Sequence, residues 1–276
     1  MLKIQCKALF MYGANQIFGP ASETYAGFAW DHLRRNLDYG RNYETLSSSM
    51  ITSQTRESQF FRFENENDQK AHKWGLECFE TPKATGLEAL VFWRQDVFPG
   101  ALSVHYHAET ETVGGADSFN LSHFDCLKQH YVKANGTRIS VIKSHDIWLQ
   151  IAGKPDDCTS ENQRFSVLIH GGKGARRRID ALRQLTSLSR DGIKDFKLLG
   201  RQKAFSKMRN GLLAYDIRMD GGSYKDVAIA LFGAQNVQKD WDSTGCFLKA
   251  RAVRAYKFGE RMVAQDYQSL LPKKAL

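Results

Sequence analysis

Apolar positions recur along this chain with two periods, one close to 3.6 and one of two, and they divide it into helices and short strands. The first run, Ile4 to Tyr12, reads as a strand. Pro20-Ala21-Ser22 then opens a helix whose apolar face is Ala26, Ala29, Trp30, Leu33 and Leu37, with Gly40 as its stop. Residues 45–70 are rich in Ser, Thr, Gln, Asn and Glu around Phe60-Phe61-Arg62-Phe63, a loop holding one short strand. Gly86 to Glu109 predicts a hairpin, with Leu87 to Trp93 as one strand and Ala101 to His107 as the other. Ser122-His123-Phe124-Asp125 has capping-box spacing and predicts a helix carrying Phe124, Leu127 and Tyr131, ended by Asn135-Gly136. Arg138 to Ile142 and Ile147 to Ile151 are two further strands.

Pro155-Asp156-Asp157 marks a boundary, so the chain divides into an N-terminal half, 1–155, and a basic C-terminal half, 156–276. The second half starts with a strand from Phe165 to Ile169, the loop Gly171-Gly172-Lys173-Gly174, and a basic helix with the stripe Ile179, Leu182, Leu185 and Leu188. A hairpin from Gly211 to Ala234 and a final helix from Arg254 to Leu270 follow. Laid over each other without a gap, Gly86 to Leu90 meets Gly211 to Tyr215, and Leu102, Val104 and Tyr106 meet Val227, Ile229 and Leu231. The expected fold is therefore α+β, in two similar halves, each an antiparallel sheet with one or two helices packed on it.

Length and composition (276 residues, 42% hydrophobic) are those of a chain with a packed core. Apolar runs are all broken within about ten residues, short of the roughly 20 a membrane span needs, and the start carries no secretory apolar region. Five scattered cysteines without a Cys-x-x-Cys pair indicate neither a disulfide framework nor a zinc site. A cytoplasmic protein with reduced thiols is expected. Charge changes the picture more. Twelve Lys or Arg stand between Gly171 and Asn210 against three Asp, which is the whole of the net +9. Lys173, Arg176, Arg177, Arg178, Arg183, Lys203 and Lys207 are the candidate partner-binding residues. Such a field attracts an acidic protein or a nucleic acid, and charge alone does not choose between them.

Chemistry is harder to find. In a strand, His105, His107, Glu109 and Glu111 point to one side, the parts of a metal site. The segment resembles the first motif of cupins, which implies a metal-dependent enzyme using His105, His107 and Glu111. The competing reading leaves Leu102, Val104 and Tyr106 inward and both histidines in solvent. The Gly171 to Gly174 loop, between a strand and a helix, offers amides to an anion but lacks the Ser or Thr of a P-loop. No nucleophile elbow, dinucleotide fingerprint or kinase set occurs, and no cofactor is expected.

Finally, Gly200-Arg201-Gln202-Lys203-Ala204, a hairpin broken by Gly221-Gly222, and Gly245-Cys246-Phe247 resemble tandem α+β immunity proteins that neutralise type VI secretion lipase effectors. The resemblance implies a non-enzymatic protein that binds a protein partner, of immunity or adaptor type, through its basic face. Nucleic-acid binding by the same face is the alternative.

Overall fold

The computed structural model describes residues 24–50, 61–108, 118–144, 147–172, 174–191, 202–241, 243 and 247–272. Helix α1 (Tyr25–Leu33) starts where Thr24 Oγ1 accepts the Gly27 amide at 3.0 Å, satisfying one donor that a first turn leaves open. Ala26, Ala29, Trp30 and Leu33 are buried, as their spacing predicts. The continuation to Gly40 is wrong. Asn36 Oδ1 accepts the amides of Asp38 and Tyr39 and starts a second helix, α2 (Leu37–Met50), which runs through Gly40 and leaves Leu37 exposed. The strand expected at Ile4–Tyr12 and the helix opening at Pro20 lie outside the described residues.

Seven strands form one mixed sheet in the order β1-β4-β5-β6-β2-β7-β3. They are β1 (Phe61–Phe63), β2 (Leu102–Tyr106), β3 (Phe119–Asn120), β4 (Leu127–Val132), β5 (Arg138–Lys143), β6 (Trp148–Gly153) and β7 (Arg164–Leu168). β4, β5 and β6 pair antiparallel, β1 joins β4 and β2 joins β6 in parallel, and β7 closes on β2 antiparallel. Both faces are covered. Ile139, Val141 and Trp148 point into one core, and Ile142, Leu149 and Ile151 point into another beneath helix α3 (Ala175–Asp191). That is why β5 is buried at every position instead of alternating. On α3, Leu185 is fully buried, but Ile179 is exposed and Ala181 takes its place in the stripe.

Three expected elements are corrected. The helix after Ser122 is strand β4, and Asn135-Gly136, read as its stop, is the β4–β5 turn, with Gly136 at a φ of 80°. Residues 87–93 are not a strand and make one isolated bridge, Leu76 with Trp93. This buried stretch instead finds partners on side chains of the sheet. Lys143 Nζ donates to the carbonyls of Gly86, Leu87 and Ala89 at 2.8, 2.5 and 3.0 Å, and Gln150 exchanges two hydrogen bonds with the Trp93 backbone. Burial of that ammonium lowers its pKa to about 8.

The third correction is the largest. The hairpin expected from Gly211 to Ala234 is helical: α4 (Gln202–Met219), a turn through Gly221, and α5 (Tyr224–Phe232). The supposed counterparts therefore pair a strand, β2, with a helix, α5. Among its described residues the C-terminal segment holds no antiparallel sheet of its own beyond β7, which belongs to the common sheet. The chain is α+β, with the strands gathered between residues 61 and 168 and helices after them.

Helices α6 (Ala234–Asp240) and α7 (Phe247–Ala264) and a 3-10 helix (Asp266–Leu270) complete the chain. α4 and α7 cross at Gly211 and Gly259. A Cβ built on Gly259 would stand 2.2 Å from the Gly211 carbonyl oxygen, so the two backbones touch where no side chain fits. The crossing is tied to the N-terminal helices. Arg35 holds Asp216 of α4 in a two-pronged ion pair at 2.7 and 2.8 Å, and Asn36 Nδ2 donates to the Val263 carbonyl at the end of α7. Among the described residues no helix is long and apolar enough to cross a membrane, and Cys78, Cys126 and Cys158 are free thiols.

Candidate nucleic-acid interface

Helix α7 has two faces. Ala252, Gly259, Met262 and Val263 are buried against α4, α5 and α1. On the other side Phe247, Arg251, Arg254 and Phe258 follow at intervals of four, three and four residues, which places them in one row. Phe247 is 64% exposed. The Arg251 guanidinium lies 4.4 Å from the Phe232 ring centre and 5.5 Å from that of Phe247, with Arg254 at 6.0 Å from Phe247. Lys207 of α4 reaches across to Phe258, its Nζ 4.5 Å from the ring centre. A groove of about 570 Å³ runs between the helices, lined by Lys203, Ser206, Lys207, Asn210, Arg254 and Phe258.

What these cations touch decides their field. Among the described residues no carboxylate pairs with Lys203, Lys207, Arg251 or Arg254; three of the four rest on aromatic rings. A ring fixes the position of a cation through its quadrupole and leaves the net charge in place. The row therefore presents positive charge and aromatic surface together, the combination suited to a phosphate backbone.

The helices beside it are built as a tight unit. Ser223 Oγ accepts the Asp226 amide at 3.2 Å, while Asp226 accepts the Ser223 amide at 2.8 Å, a reciprocal cap on α5. The capping box therefore stands at Ser223, whereas Ser122 is the middle residue of a 3-10 turn, Leu121–His123, capped by Asn120. Gly233, at a φ of 85°, is the single residue between α5 and α6. Val227, Ala228, Val237 and Ala252 are fully buried together and bind α5, α6 and α7 into one small core. Arg218 braces the α4–α5 turn by donating to the Gly222 carbonyl, and its guanidinium lies 4.7 Å from the Tyr224 ring centre.

The residues singled out in the sequence fall into two groups. Lys203 and Lys207 line the groove. Arg176, Arg177, Arg178 and Arg183 sit on α3, which packs on β2 and β6. Arg176 and Arg183 are exposed, Arg183 with a partner in Asp180 at 3.2 Å, while Arg178 donates to the His170 carbonyl at 2.7 Å and secures the preceding loop. Lys173 lies outside the described residues. Arg251, Arg254, Phe247 and Phe258 were missed. Their spacing was a legible signal, but a final helix begun at Arg254 cut the row in half. Phe205 of α4 is not part of this surface: it is buried against Tyr25 and Phe28.

On β2, Leu102, Val104 and Tyr106 point inward and His105 is exposed. His107 Nε2 shares a hydrogen bond with Ser166 Oγ at 2.7 Å. Glu109 and Glu111 lie outside the described residues, and among those described no three metal-ligating side chains are gathered.

Comparison with known proteins corrects the functional reading of the sequence. No curated protein matches the chain. Two family models do. Residues 21–78 match the model described as a proteobacterial transcriptional regulator-like domain. Residues 168–272 match the one described as a T6SS transcription factor, DNA binding domain. These matches overturn the resemblance to immunity proteins against lipase effectors, and with it the protein-binding immunity or adaptor reading. Of the residues that carried that resemblance, Gln202 to Ala204 and Gly221-Gly222 belong to the α4–α5 helical pair, where a hairpin had been expected, and Phe247 opens α7, while Gly200, Arg201, Gly245 and Cys246 lie outside the described residues. The chain is similar to transcriptional regulators at both ends.

Proposed function

We propose that this chain is a transcriptional regulator that binds duplex DNA through its C-terminal helices, with α4 and α7 gripping the phosphate backbone. The observation that carries the proposal is the row of cations held on aromatic rings without carboxylate partners, inside the segment that matches a DNA-binding model. Lys203, Lys207, Arg251 and Arg254 contact phosphates, and Phe247 packs on the sugar edge. The exposed arginines of α3, Arg176 and Arg183, together with Arg177, supply a second, weaker set of phosphate contacts. The N-terminal helices hold the gripping surface in shape through Arg35 and Asn36.

The proposal sets DNA in place of an acidic protein partner. A salt titration tests it. Each neutralised phosphate contributes about 0.9 to the slope of log affinity against log salt, so Lys203→Ala, Lys207→Ala, Arg254→Ala together should flatten the slope by roughly 2.7. A slope unchanged in the triple variant, or an absence of binding at low salt, would remove this assignment.

A further inference from the structure

Helix α6 is odd in one respect: it is polar on every side but one. Of its seven residues only Val237 is buried, and Ala234, Gln235, Asn236, Gln238, Lys239 and Asp240 are exposed. A helix with so little apolar surface gains little from packing, so its position needs another reason. Three observations supply one. Gln235, Gln238 and Lys239 share a face at helical spacing, opposite Val237, which ties α6 to α5 and α7. Asn236 does not join them, because its Nδ2 already donates to the Phe232 carbonyl at 2.8 Å. Among the described residues the amides of Gln235 and Gln238 have no hydrogen-bond partner in the protein, which leaves both a donor and an acceptor on each.

The surroundings point the same way. Phe232 ends α5 one residue before α6, and Arg251 stacks on its ring, so the cationic row of α7 begins at the α5–α6 joint. A body held by phosphates along α7 therefore carries α6 beside its grip. An α-helix is about 10–12 Å across with its side chains, which the roughly 12 Å wide major groove admits, and seven residues give α6 about two turns along it. Gly233 alone joins α5 to α6, a tighter joint than the three- or four-residue turn of helix-turn-helix proteins, and as in those proteins the second helix presents side chains outward, where they can reach base edges.

We infer that α6 is the base-reading helix, and that Gln235 and Gln238 recognise adenine by pairing their amides with its N7 and N6 edge in the major groove. A Gln amide matches that donor-acceptor pair and matches guanine, with two acceptors, poorly. Lys239, on the same face, reaches a guanine edge or a flanking phosphate. The inference rests on the DNA-binding reading and goes beyond it, since a phosphate grip alone carries no sequence preference.

The test uses the full chain and a pool of randomised duplex DNA, selected for binding and sequenced, with affinities then measured on the winning duplex and on a scrambled one. The wild type should enrich a site with fixed A·T pairs. Gln235→Ala, Gln238→Ala should lower the preference for that site about tenfold or more, while affinity for the scrambled duplex and the salt slope stay as they were. The variant Lys203→Ala, Lys207→Ala, Arg254→Ala should weaken both duplexes and keep the preference. Because the two glutamines are exposed, an unchanged circular dichroism spectrum and melting point are expected. A double glutamine variant that still selects the same site overturns the inference, and so does a wild type that binds all duplexes equally. In both of those cases the DNA-binding reading stands. No binding of any duplex at low salt ends both.

Discussion

Two basic helices, α3 and α7, carry comparable positive charge and use it differently. On α3, Arg183 lies beside Asp180 and Arg178 is spent on the His170 carbonyl, so a cluster that dominates the sequence is partly neutralised within its own helix and loop. On α7 Arg251 and Arg254 rest on Phe232 and Phe247, and among the described residues no carboxylate pairs with either, although Arg261 farther along the helix is held by Asp266. The longest run of arginines is thus a poor guide to the strongest field. What a cation touches matters more than how many stand in a row.

The comparison breaks most sharply at the helix crossing. A Cβ at Gly259 meets the Gly211 backbone first, with Tyr215 Cβ behind it, and backbone cannot move aside as the far end of a side chain can. Gly259→Val should therefore cost more than about 3 kcal/mol of stability, at the upper end of overpacking effects, and DNA affinity should fall with it. Leu185→Ala on α3 should lose a similar 2–5 kcal/mol, yet leave the salt slope intact in whatever fraction remains folded. Denaturant melts beside binding titrations separate the two.

Acid should loosen α7 before α3. His32 of α1 is buried edge-on to Phe258 of α7, and burial, with Arg35 nearby, lowers its pKa to about 4, against the opposing pull of the Phe28 carbonyl, Asp31 and Asp216. The unfolded chain takes up this proton near 6.5 and the folded chain only near 4. Stability is therefore complete above about pH 6.5 and falls as the pH drops toward 4, by up to about 3 kcal/mol. His32→Leu should remove that part of the pH dependence. Hydrogen exchange of α7 amides at pH 5 should be faster than at pH 7 in the wild type and not in the variant.

A smaller loss follows from the N-terminal anchor. Arg35 and Asp216 are both 15% exposed and charge-assisted on two prongs. Arg35→Ala should cost about 2 kcal/mol, because it strands a carboxylate beside the crossing. The coupling, measured in a double-mutant cycle with Asp216→Asn, should account for most of it.

The smallest effect sharpens the contrast itself. Arg176→Ala, Arg177→Ala, Arg183→Ala should flatten the salt slope of DNA binding by about one unit, against roughly 2.7 for the triple variant of α4 and α7. Equal changes would mean that α3 grips DNA as firmly as α7 does.

Much of the architecture was legible. Val, Ile and Leu in short runs announced β2, β5, β6 and β7, and Leu185 and Trp30 were placed in the core by spacing alone. The candidate site was half legible, since Lys203 and Lys207 stood out by charge and their companions on α7 did not. Misreadings came where one pattern satisfies two structures. Phe124, Leu127 and Tyr131 suit a helical stripe, but Tyr131 is buried within β4 because β1 and β5 flank it. Gly211 argued against a helix, and it sits mid-helix because Gly259 approaches it.

The amino-acid sequence by itself determined that the chain is α+β, that its excess positive charge lies after residue 171, and where the strongest strands run, because burial and local pairing demand those residue types. Tertiary structure decided the rest. Residues 87–93 are irregular because Lys143 and Gln150 supply the hydrogen bonds a strand would have needed. The basic face is set on α4 and α7 because a glycine crossing brings Lys207 over Phe258, a contact between positions about fifty residues apart that no local period encodes.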